Sequence, residues 1–298
     1  MKFLVTGGAG FIGSFFIKHI LLKEKNCQIL NIDKLSYASD LRRLADVESK
    51  KYSFIKLDLT NKRKIDDIVE SFKADVVVHF AAESHVDKSI QKSDDFINSN
   101  ILGTYNLLNS LKKLRKKNDF IFIHFSTDEV YGSIKKGSFD ESSPYDPSSP
   151  YSASKASADM LVSAWNKTYD FPSLIINSTN NYGPFQFPEK LIPVVICSAL
   201  QNKKIPVYGD GLNVRDWIHV TDNVECIYRL ICERPKEKKI NISSNEEKNN
   251  LWIVKKICKF LDKIEPKKKS YLKLIDFVDD RLGHDRRYSL SNKKLKKI

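Results

Sequence analysis

The sequence predicts an α/β fold, a doubly wound parallel sheet with a smaller, mainly C-terminal lobe. Short apolar segments alternate with amphipathic segments through the first half of the chain, which is the pattern of strand–helix–strand units. A glycine-rich segment at residues 7–13 directly follows the first apolar segment. After residue 170, proline and glycine become frequent, so we expect loops and short helices there.

Each predicted element follows from the period of its apolar residues. The predicted strands are 2–6, 28–32, 53–57, 75–80, 120–126 and 173–178. The predicted helices are 11–24, 61–72, 93–116 and 151–169. We place a domain boundary between residues 179 and 180, and we expect one later strand to return to the main sheet.

Length and composition limit the class of protein. The chain has 298 residues, 41% of them hydrophobic, which suits one large domain and a smaller lobe. It contains no apolar run of membrane-spanning length and no signal-peptide pattern, so we expect a cytoplasmic protein. Five scattered cysteines predict buried free thiols and no metal site. The net charge of +13 comes from dispersed lysine runs without a nucleic-acid-binding motif, so we expect no nucleic-acid partner.

The glycine-rich segment predicts a dinucleotide site in a Rossmann-like domain. It contains both G-x-G-x-x-G and G-x-x-G-x-x-G between a predicted strand and a predicted helix. Glycine lets backbone N–H groups approach a pyrophosphate, and the helix N-terminus favours the negative charge. Asp33 ends the second strand, where a carboxylate binds the ribose hydroxyls of NAD and repels the extra phosphate of NADP. Lys34 weakens this discrimination, but the pattern favours NAD. Asp58 and Leu59, after the third strand, should flank the adenine.

Two further segments predict a site for proton transfer. Thr127, Asp128 and Glu129 follow a buried strand, which should present a hydroxyl and two carboxylates at its end. Tyr151 and Lys155 are four residues apart and therefore project from one helical face. An ammonium group near a phenol should lower the phenol's pKa, which makes Tyr151 a candidate general base for a sugar or alcohol hydroxyl.

Together these segments resemble the extended short-chain dehydrogenase/reductases, and among them the nucleoside-diphosphate-sugar 4,6-dehydratases. The resemblance extends over essentially the whole chain. The matching segments are residues 6–13, 81–87, 126–132, 149–155, 180–184, 188–193, 215–217 and 283–288.

The resemblance implies a mechanism that uses NAD. Tyr151, assisted by Lys155, would take the proton from a sugar 4-hydroxyl held by Thr127 while hydride passes from C4 to NAD. Glu129 would remove the C5 proton, and Asp128 would protonate the departing 6-hydroxyl. Hydride would return to C6 and leave a 4-keto-6-deoxy sugar nucleotide.

The resemblance also implies the residues that bind each ligand, and it implies a homodimer, for which the helices starting near Phe96 and Tyr151 are the expected interface. The cofactor would contact Gly7, Gly10, Phe11, Ile12, Gly13, Asp33, Lys34, Asp58, Leu59, Phe80, Ala81, Ala82, Ser84, Ser99, Tyr151 and Lys155. The sugar nucleotide would contact His85, Asn100, Thr127, Asn180, Glu189, Lys190, Leu191, Arg215, Asn245, Arg281 and His284.

Three features depart from the family pattern. Leu282 replaces a proline of the family, which should loosen the loop that carries His284. Residues 241–244 lack glycines common in the family, which leaves contacts with the nucleotide base open. The sequence ends at Ile298, where the family continues with a further helix, so we expect a shorter substrate lobe.

Several functions remain possible for this sequence. A 4,6-dehydratase could act on a thymine or uracil nucleotide of glucose or N-acetylglucosamine, with either stereochemical outcome at C5. A 4-epimerase needs Tyr151 and Lys155 but no adjacent acids, so Asp128 and Glu129 argue against it. A non-catalytic NAD-binding protein would not require these five residues together.

Overall fold

A computed structural model of the chain describes residues 1–47, 50–115 and 119–298, with Arg115 described in its backbone only. The strands, in chain order, are β1 (Lys2–Thr6), β2 (Gln28–Asp33), β3 (Tyr52–Lys56), β4 (Val76–His79), β5 (Ile121–Thr127), β6 (Ser173–Ser178), β7 (Asn180–Tyr182), β8 (Ile205–Tyr208), β9 (Val214–His219), β10 (Lys239–Ile242), β11 (Glu247–Asn249) and β12 (Ile275–Val278). The α-helices are α1 (Phe11–Lys23), α2 (Lys62–Phe72), α3 (Val86–Gln91), α4 (Asp94–Phe96), α5 (Gly103–Arg115), α6 (Pro150–Tyr169), α7 (Leu191–Leu200), α8 (Val220–Glu233) and α9 (Asn250–Ile264).

Seven parallel strands form the main sheet in the order β3-β2-β1-β4-β5-β6-β10. The chain adds β2 and β3 on one side of β1 and then crosses to add β4, β5 and β6 on the other side. Between β1 and β4 the loops at the carboxyl ends of the strands leave in opposite directions, which opens a crevice there. The predicted doubly wound α/β fold is confirmed.

Apolar cores cover both faces of the sheet, as the alternation of side chains along a strand requires. On one face α1 and α8 pack against strand residues such as Phe3 and Val5. On the other face α2, α5 and α6 pack against residues such as Leu4 and Phe122. The sheet is therefore buried on both sides, and ligands can reach it at the ends of its strands.

Residues from 180 onward form two small sheets and two helices that pack against one of them. One sheet has the order β11-β9-β7, and the other pairs β12 with β8. Helices α7 and α9 pack over the second pair around a separate core that includes Val195, Val254 and Tyr271. Strand β10 pairs with β6 in the main sheet, so residues beyond 180 contribute to both parts of the molecule. The boundary between residues 179 and 180 stays a prediction.

The predicted strands agree with the structure to within one residue at either end. The helix predicted at 93–116 consists of α4, a π-helical segment (Ile97–Leu102) and α5, and residue 116 lies outside the described residues. Sequence periodicity missed α3 and the 3₁₀ turn at Asp128–Tyr131, because elements of one or two turns carry too few residues to show a period.

Two composition-based expectations can be compared with the structure. Within the described residues, none of the helices combines the length and the apolar character required to cross a membrane. The cysteines are free, but only Cys27 and Cys258 are buried, whereas Cys197 and Cys232 are exposed and Cys226 is half-buried. The expectation of buried thiols was therefore wrong for three positions.

Candidate active site

The glycine-rich loop turns directly beneath the crevice. Gly7 has a φ of +75°, and a Cβ atom there would lie 2.5 Å from the backbone nitrogen of Ala81. A Cβ atom on Gly13 would lie 2.4 Å from the Gly7 carbonyl oxygen. No side chain caps the N-terminus of α1, which starts after Gly10. The loop thus leaves space and backbone donors for a pyrophosphate, as a dinucleotide requires.

Asp33 and Lys34 fit a cofactor with free ribose hydroxyls. The buried Asp33 carboxylate accepts hydrogen bonds from the backbone nitrogens of Ala9, at 3.1 Å, and Leu35, at 2.8 Å, which fix it beside the glycine loop. Lys34 Nζ lies 2.7 Å from Glu83 Oε1 and 2.7 Å from Ser99 Oγ. Because Lys34 is already paired with Glu83, the structure favours NAD over NADP.

A cleft extends from the glycine loop across the carboxyl ends of β1, β4 and β5. All of the predicted cofactor residues line it, namely Gly7, Gly10, Phe11, Ile12, Gly13, Asp33, Lys34, Asp58, Leu59, Phe80, Ala81, Ala82, Ser84, Ser99, Tyr151 and Lys155. Of the predicted substrate residues, Thr127, Asn180, Glu189 and Lys190 also line it. The residues predicted for the cofactor and for the chemistry thus share one cavity.

Strand β5 and helix α6 hold the catalytic candidates. Strand β5 is buried along nearly its whole length, and Thr127 at its end caps the following 3₁₀ turn by accepting a hydrogen bond from the Glu129 backbone nitrogen, at 3.2 Å. Ser149 and Ser152 form a reciprocal capping box at the start of α6. This cap places Tyr151 in the first turn of α6, where the Thr127 side chain lowers the pKa of its phenol.

The two adjacent carboxyl groups lie in different surroundings. Asp128 is 2% exposed, and burial, followed by the charge of Glu129, raises its pKa well above the usual value. Burial also raises the pKa of Glu129, but Lys190, Arg281 and Arg215 oppose that rise. Asp128 is therefore the better proton donor and Glu129 the better proton acceptor at neutral pH, and such a pair can supply both an acid and a base.

Tyr151 and Lys155 share a helical face, but the expected effect of Lys155 on the phenol was wrong. Burial raises the pKa of Tyr151, and the charge of Glu129 raises it further, whereas the Thr127 side chain lowers it. Lys155 Nζ instead donates to the Phe125 carbonyl oxygen, at 2.7 Å, and burial lowers its pKa to about 8. In this arrangement Tyr151 is a neutral phenol at neutral pH.

The remaining predicted substrate residues do not line the cleft. His85 Nε2 is 3.6 Å from Glu189 Oε2, and Arg281 Nη1 is 3.5 Å from Asp87 Oδ1. The other members of this group are Asn100, Leu191, Arg215, Asn245 and His284.

Two of these residues have side chains already engaged within the protein. Asn100 lies in the π-helical segment, where its amide exchanges hydrogen bonds with the Glu83 backbone at 2.8 and 3.0 Å. Arg215 is buried, donates to the carbonyl oxygens of Val214 and Asp285, and stacks on Tyr288. Their roles toward a substrate stay predictions.

The loop carrying His284 is held in place although Leu282 replaces the expected proline. Leu282 is 75% exposed, so its side chain contributes little to that loop. His284 Nδ1 lies 2.6 Å from Asp280 Oδ1, and Ser148 Oγ donates a hydrogen bond to the Gly283 carbonyl oxygen at 3.1 Å. These contacts tie the loop to its neighbours where a proline is absent.

Sequence reasoning missed two residues that join loops across the cleft. Buried Arg43 donates to the carbonyl oxygens of Ala9 at 2.9 Å, Ala38 at 2.8 Å and Phe185 at 3.1 Å. Tyr37, the residue before Ala38, donates a hydrogen bond from its hydroxyl to Glu189 Oε1 at 3.1 Å. The contacts of Arg43 with Phe185 and of Tyr37 with Glu189 each span more than a hundred residues of sequence, and no local pattern signals them.

Comparisons with known proteins agree with this geometry. The sequence profile of the GDP-mannose 4,6 dehydratase family matches residues 4–298. The chain is 47% identical to the dTDP-glucose 4,6-dehydratase of Salmonella typhimurium, over 99% of this chain and 86% of that protein. It is 46% identical to dTDP-glucose 4,6-dehydratase 1 of Escherichia coli, with the same coverage.

Solved structures show the same similarity. The dTDP-glucose 4,6-dehydratase DesIV of Streptomyces venezuelae, solved with NAD, superposes with a TM-score of 0.91 at 37% identity, covering 100% of this chain and 90% of that one. The UDP-glucose 4-epimerase of Thermus thermophilus, also solved with NAD, gives a TM-score of 0.86 at 26% identity, covering 100% and 92%. The fold is therefore common to dehydratases and epimerases, and the sequence lies nearer to the dehydratases.

Replacing Gly7 by alanine should disrupt the cofactor loop more than the same change at Gly137. Both glycines have a φ near +75°, which costs an alanine roughly 1–2 kcal/mol. Only the Cβ atom at Gly7 meets backbone, because nothing lies within 4 Å of one at Gly137. We expect Gly7→Ala to bind NAD about tenfold or more weakly in calorimetry. Equal NAD affinity in the two variants would contradict this account of the loop.

Replacing Asp128 by asparagine should change how stability depends on pH. In the unfolded chain Asp128 loses its proton at about pH 3.9. In the folded protein the carboxyl keeps its proton to higher pH, because its pKa is raised. The free energy of unfolding therefore falls as pH rises from the unfolded pKa to the folded pKa. Urea unfolding should show that Asp128→Asn gains about 1 kcal/mol or more relative to the wild type from pH 4 to pH 8.

Asp140 provides the control of opposite sign. Hydrogen bonds from Ser142 hold the pKa of Asp140 below its usual value, so its charged form stabilises the fold above the unfolded pKa. Asp140→Asn should therefore lose stability relative to the wild type as pH rises. Parallel pH profiles for the two variants would disprove the assignment of Asp128 as a buried, protonated acid.

Proposed function

This chain belongs to the dTDP-glucose 4,6-dehydratase family, and we propose on that premise that dTDP-glucose is its substrate. The reaction is that of an NAD-dependent nucleoside-diphosphate-sugar 4,6-dehydratase, a hydro-lyase of deoxysugar biosynthesis. The observation that carries the proposal is the meeting of Thr127, Asp128 and Glu129 with Tyr151 and Lys155 in one cleft. An epimerase has no use for two adjacent carboxyl groups of different pKa at this place.

The cofactor would occupy the half of the cleft formed by the glycine loop and Asp33. Backbone N–H groups at the start of α1 would bind the pyrophosphate, and Asp33 would bind the adenosine ribose. Asp58 and Leu59 would flank the adenine, and Lys155 would reach the second ribose. NAD, when bound, accepts hydride from the sugar C4 and gives hydride back at C6.

Tyr151 would act first: once its phenol has released its own proton to solvent, the phenolate would remove the proton of the sugar 4-hydroxyl. Thr127, at the end of β5, would hold that hydroxyl in line. Because burial disfavours the phenolate, a cation must compensate for its charge, and we assign this role to Lys155, which projects from the same helical face. The oxidised C4 then makes the neighbouring C5 proton acidic.

Glu129 and Asp128 would then eliminate water across C5 and C6. Glu129, the more acidic of the two carboxyls, takes the C5 proton, and Asp128, protonated because it is buried, donates its proton to the departing 6-hydroxyl. The C5–H and C6–O bonds break, a C5–C6 double bond forms, and one water leaves. Glu129 returns its proton to C5 as C6 is reduced, which gives the 4-keto-6-deoxy hexose.

The sugar nucleotide would lie on the side of the cleft that carries three cations. Lys190, Arg281 and Arg215 all lie close enough to Glu129 to lower its pKa. Such a group of cations suits a diphosphate, and Arg281 and Arg215 offer guanidinium donors for it. We assign the sugar and nucleotide contacts to His85, Asn100, Asn180, Glu189, Lys190, Leu191, Arg215, Asn245, Arg281 and His284.

We also propose a cytoplasmic homodimer that has no nucleic-acid partner. The surface between α4 and α6 exposes apolar side chains of Ile97, Leu102, Tyr105 and Met160, a pattern typical of an interface. Free cysteines suit a reducing compartment.

Incubation with three sugar nucleotides tests the proposed reaction. We expect the NAD-loaded protein to remove one water from dTDP-glucose, and to act more slowly on UDP-glucose and UDP-N-acetylglucosamine, as read by mass spectrometry. Isomerisation without loss of mass would identify a 4-epimerase instead. NAD binding without any turnover would identify a non-catalytic NAD-binding protein.

Glu129→Gln separates oxidation from elimination within that reaction. The variant should still oxidise C4, which the nicotinamide absorbance reports, but it should release water at least about 100-fold more slowly because it lacks the base at C5. The matched control is Glu70→Gln on the exposed face of α2, which should dehydrate at the wild-type rate. Normal water release by Glu129→Gln would refute the assigned role.

Met160→Glu tests the homodimer. Met160 is 57% exposed on α6, so a charge there should keep two copies apart and give particles of 34.3 kDa in light scattering, whereas the wild type should have twice that mass. Phe260→Glu is the control, since Phe260 is equally exposed, on α9, and should leave the dimer intact. A dimeric Met160→Glu variant would place the interface elsewhere.

A further inference from the structure

A third ionisable residue continues the buried face of α6 beyond the catalytic pair. Tyr151, Lys155 and Asp159 follow one another at intervals of four residues, so all three side chains project to the same side of the helix. Their exposed fractions fall from 8% to 4% to 0% along the helix. A fully buried carboxyl therefore lies one helical turn below the active-site lysine.

Side chains from three parts of the fold, namely β5, β6 and the loop of Tyr145, surround the Asp159 carboxyl. Ser126 Oγ and the Tyr145 hydroxyl each lie 2.8 Å from Oδ2, and Asn177 Nδ2 lies 3.3 Å from it. His124 Nε2 lies 3.1 Å from Oδ1. Burial alone would raise the pKa of Asp159, but these hydrogen bonds and nearby positive charge bring it below the usual value. The group is thus built to remain a carboxylate in the core.

Lys155 depends on charges that it does not contact directly. Within the described residues, its hydrogen bond goes to the uncharged carbonyl oxygen of Phe125. Burial is the main cause that lowers its pKa to about 8, and the charge of Asp159 is the one that opposes it. The surrounding protein therefore provides no direct carboxylate partner for the ammonium group.

The other titratable groups around Lys155 do not replace Asp159. His124 on β5 and His79 on β4 are fully buried, and burial lowers the pKa of both, so they are neutral. Tyr151 on α6 and Asp128 after β5 are kept protonated by burial. Glu129 faces Lys190 and two arginines instead, whose charges stabilise its anion. Lys239 on β10 also lies within reach of the Asp159 charge, but it is a cation like Lys155 and cannot balance it. Asp159 is therefore the anion placed to balance Lys155.

We infer that Asp159 is a positioning residue for the dehydration, because its carboxylate keeps Lys155 protonated beside Tyr151. This inference rests on the proposed function, since a charged Lys155 is what compensates the Tyr151 phenolate. The groups that donate to Asp159 support this role indirectly, because they keep its carboxylate ionised. The carboxylate then acts on Lys155 through its charge, without a direct ion pair that would draw Lys155 away from Tyr151.

A purely structural role for Asp159 makes a different prediction. The hydrogen bonds of Asp159 join α6 to β5, β6 and the loop of Tyr145, and an asparagine of the same shape keeps the oxygen that accepts from Ser126 and Tyr145. Asp159→Asn removes the negative charge but retains much of that network. The ionisation of Lys155 therefore separates the two roles, whereas stability does not.

The test measures the titration of Lys155 directly in NAD-loaded protein labelled with ¹³C at the lysine ε-carbon. Lys155→Met identifies the resonance by its loss. In the wild type Lys155 should titrate near pH 8, and in Asp159→Asn at least about one pH unit lower. Tyr145→Phe is the matched control, because it removes one donor and keeps the charge, and should leave the midpoint in place. An unchanged midpoint in Asp159→Asn overturns the inference.

The rate of dehydration should follow the same shift. The basic limb of the kcat profile should move to lower pH in Asp159→Asn by the amount that Lys155 moves, with kcat recovering on the acidic side. A uniform fall in kcat without movement of the limb would mean a structural role alone. If the wild type dehydrates no sugar nucleotide, the proposed function fails, while the titration still decides whether Asp159 controls Lys155.

A measurement on the wild type covers the case in which Asp159→Asn does not fold. The Asp159 carboxyl carbon, observed by ¹³C resonance, should report an ionised group throughout pH 5 to 10. A carboxyl that becomes ionised only above neutral pH could not hold Lys155 protonated, and that result would also overturn the inference.

Discussion

The parallel direction of all seven main strands is the constraint on which the site depends. Because every strand of the main sheet runs the same way, their carboxyl ends lie at one edge, where Ile32, Thr6, His79 and His124 are paired and Asp33 and Thr127 follow. The change of strand order at β1 then opens a crevice at that edge. The glycine loop, Asp33, Asp128 and Glu129 need no long loops to converge, because the sheet already brings them together.

Within that edge, chemistry depends on how completely each ionisable group is buried. Asp128 and Glu129 are neighbours in sequence, yet among the described residues three cations lower the pKa of Glu129 whereas only one of them, Arg215, lowers that of Asp128, and this difference separates their proton affinities. Lys155 and Asp159 show the same principle below the surface, where a charge is stabilised by hydrogen bonds to a carboxylate rather than by solvent. The fold therefore prepares its acid and its base before a substrate binds.

The sequence predicts the parts of this arrangement that arise locally. Apolar periods locate the strands of the main sheet, and the glycine spacing locates the loop after β1, because backbone geometry alone demands those residues. It does not predict the pKa of Tyr151 or the pairing of Lys34 with Glu83, since each depends on groups brought from distant segments. The same limit explains why Arg43 and Asp159 went unnoticed, as an isolated charge in a sequence carries no sign of its burial.

The hydrogen bonds of Arg43 have a consequence for how the reaction depends on the nicotinamide cofactors in the cell. Its guanidinium ties the glycine loop to two other loops, so these hydrogen bonds hold together the wall of the cleft around that loop. A reaction that removes and returns the same electrons gives no reason for the dinucleotide to leave. Dehydration should then proceed at the same pace in a starved or an oxygen-rich cell, independent of the balance between oxidised and reduced nicotinamide.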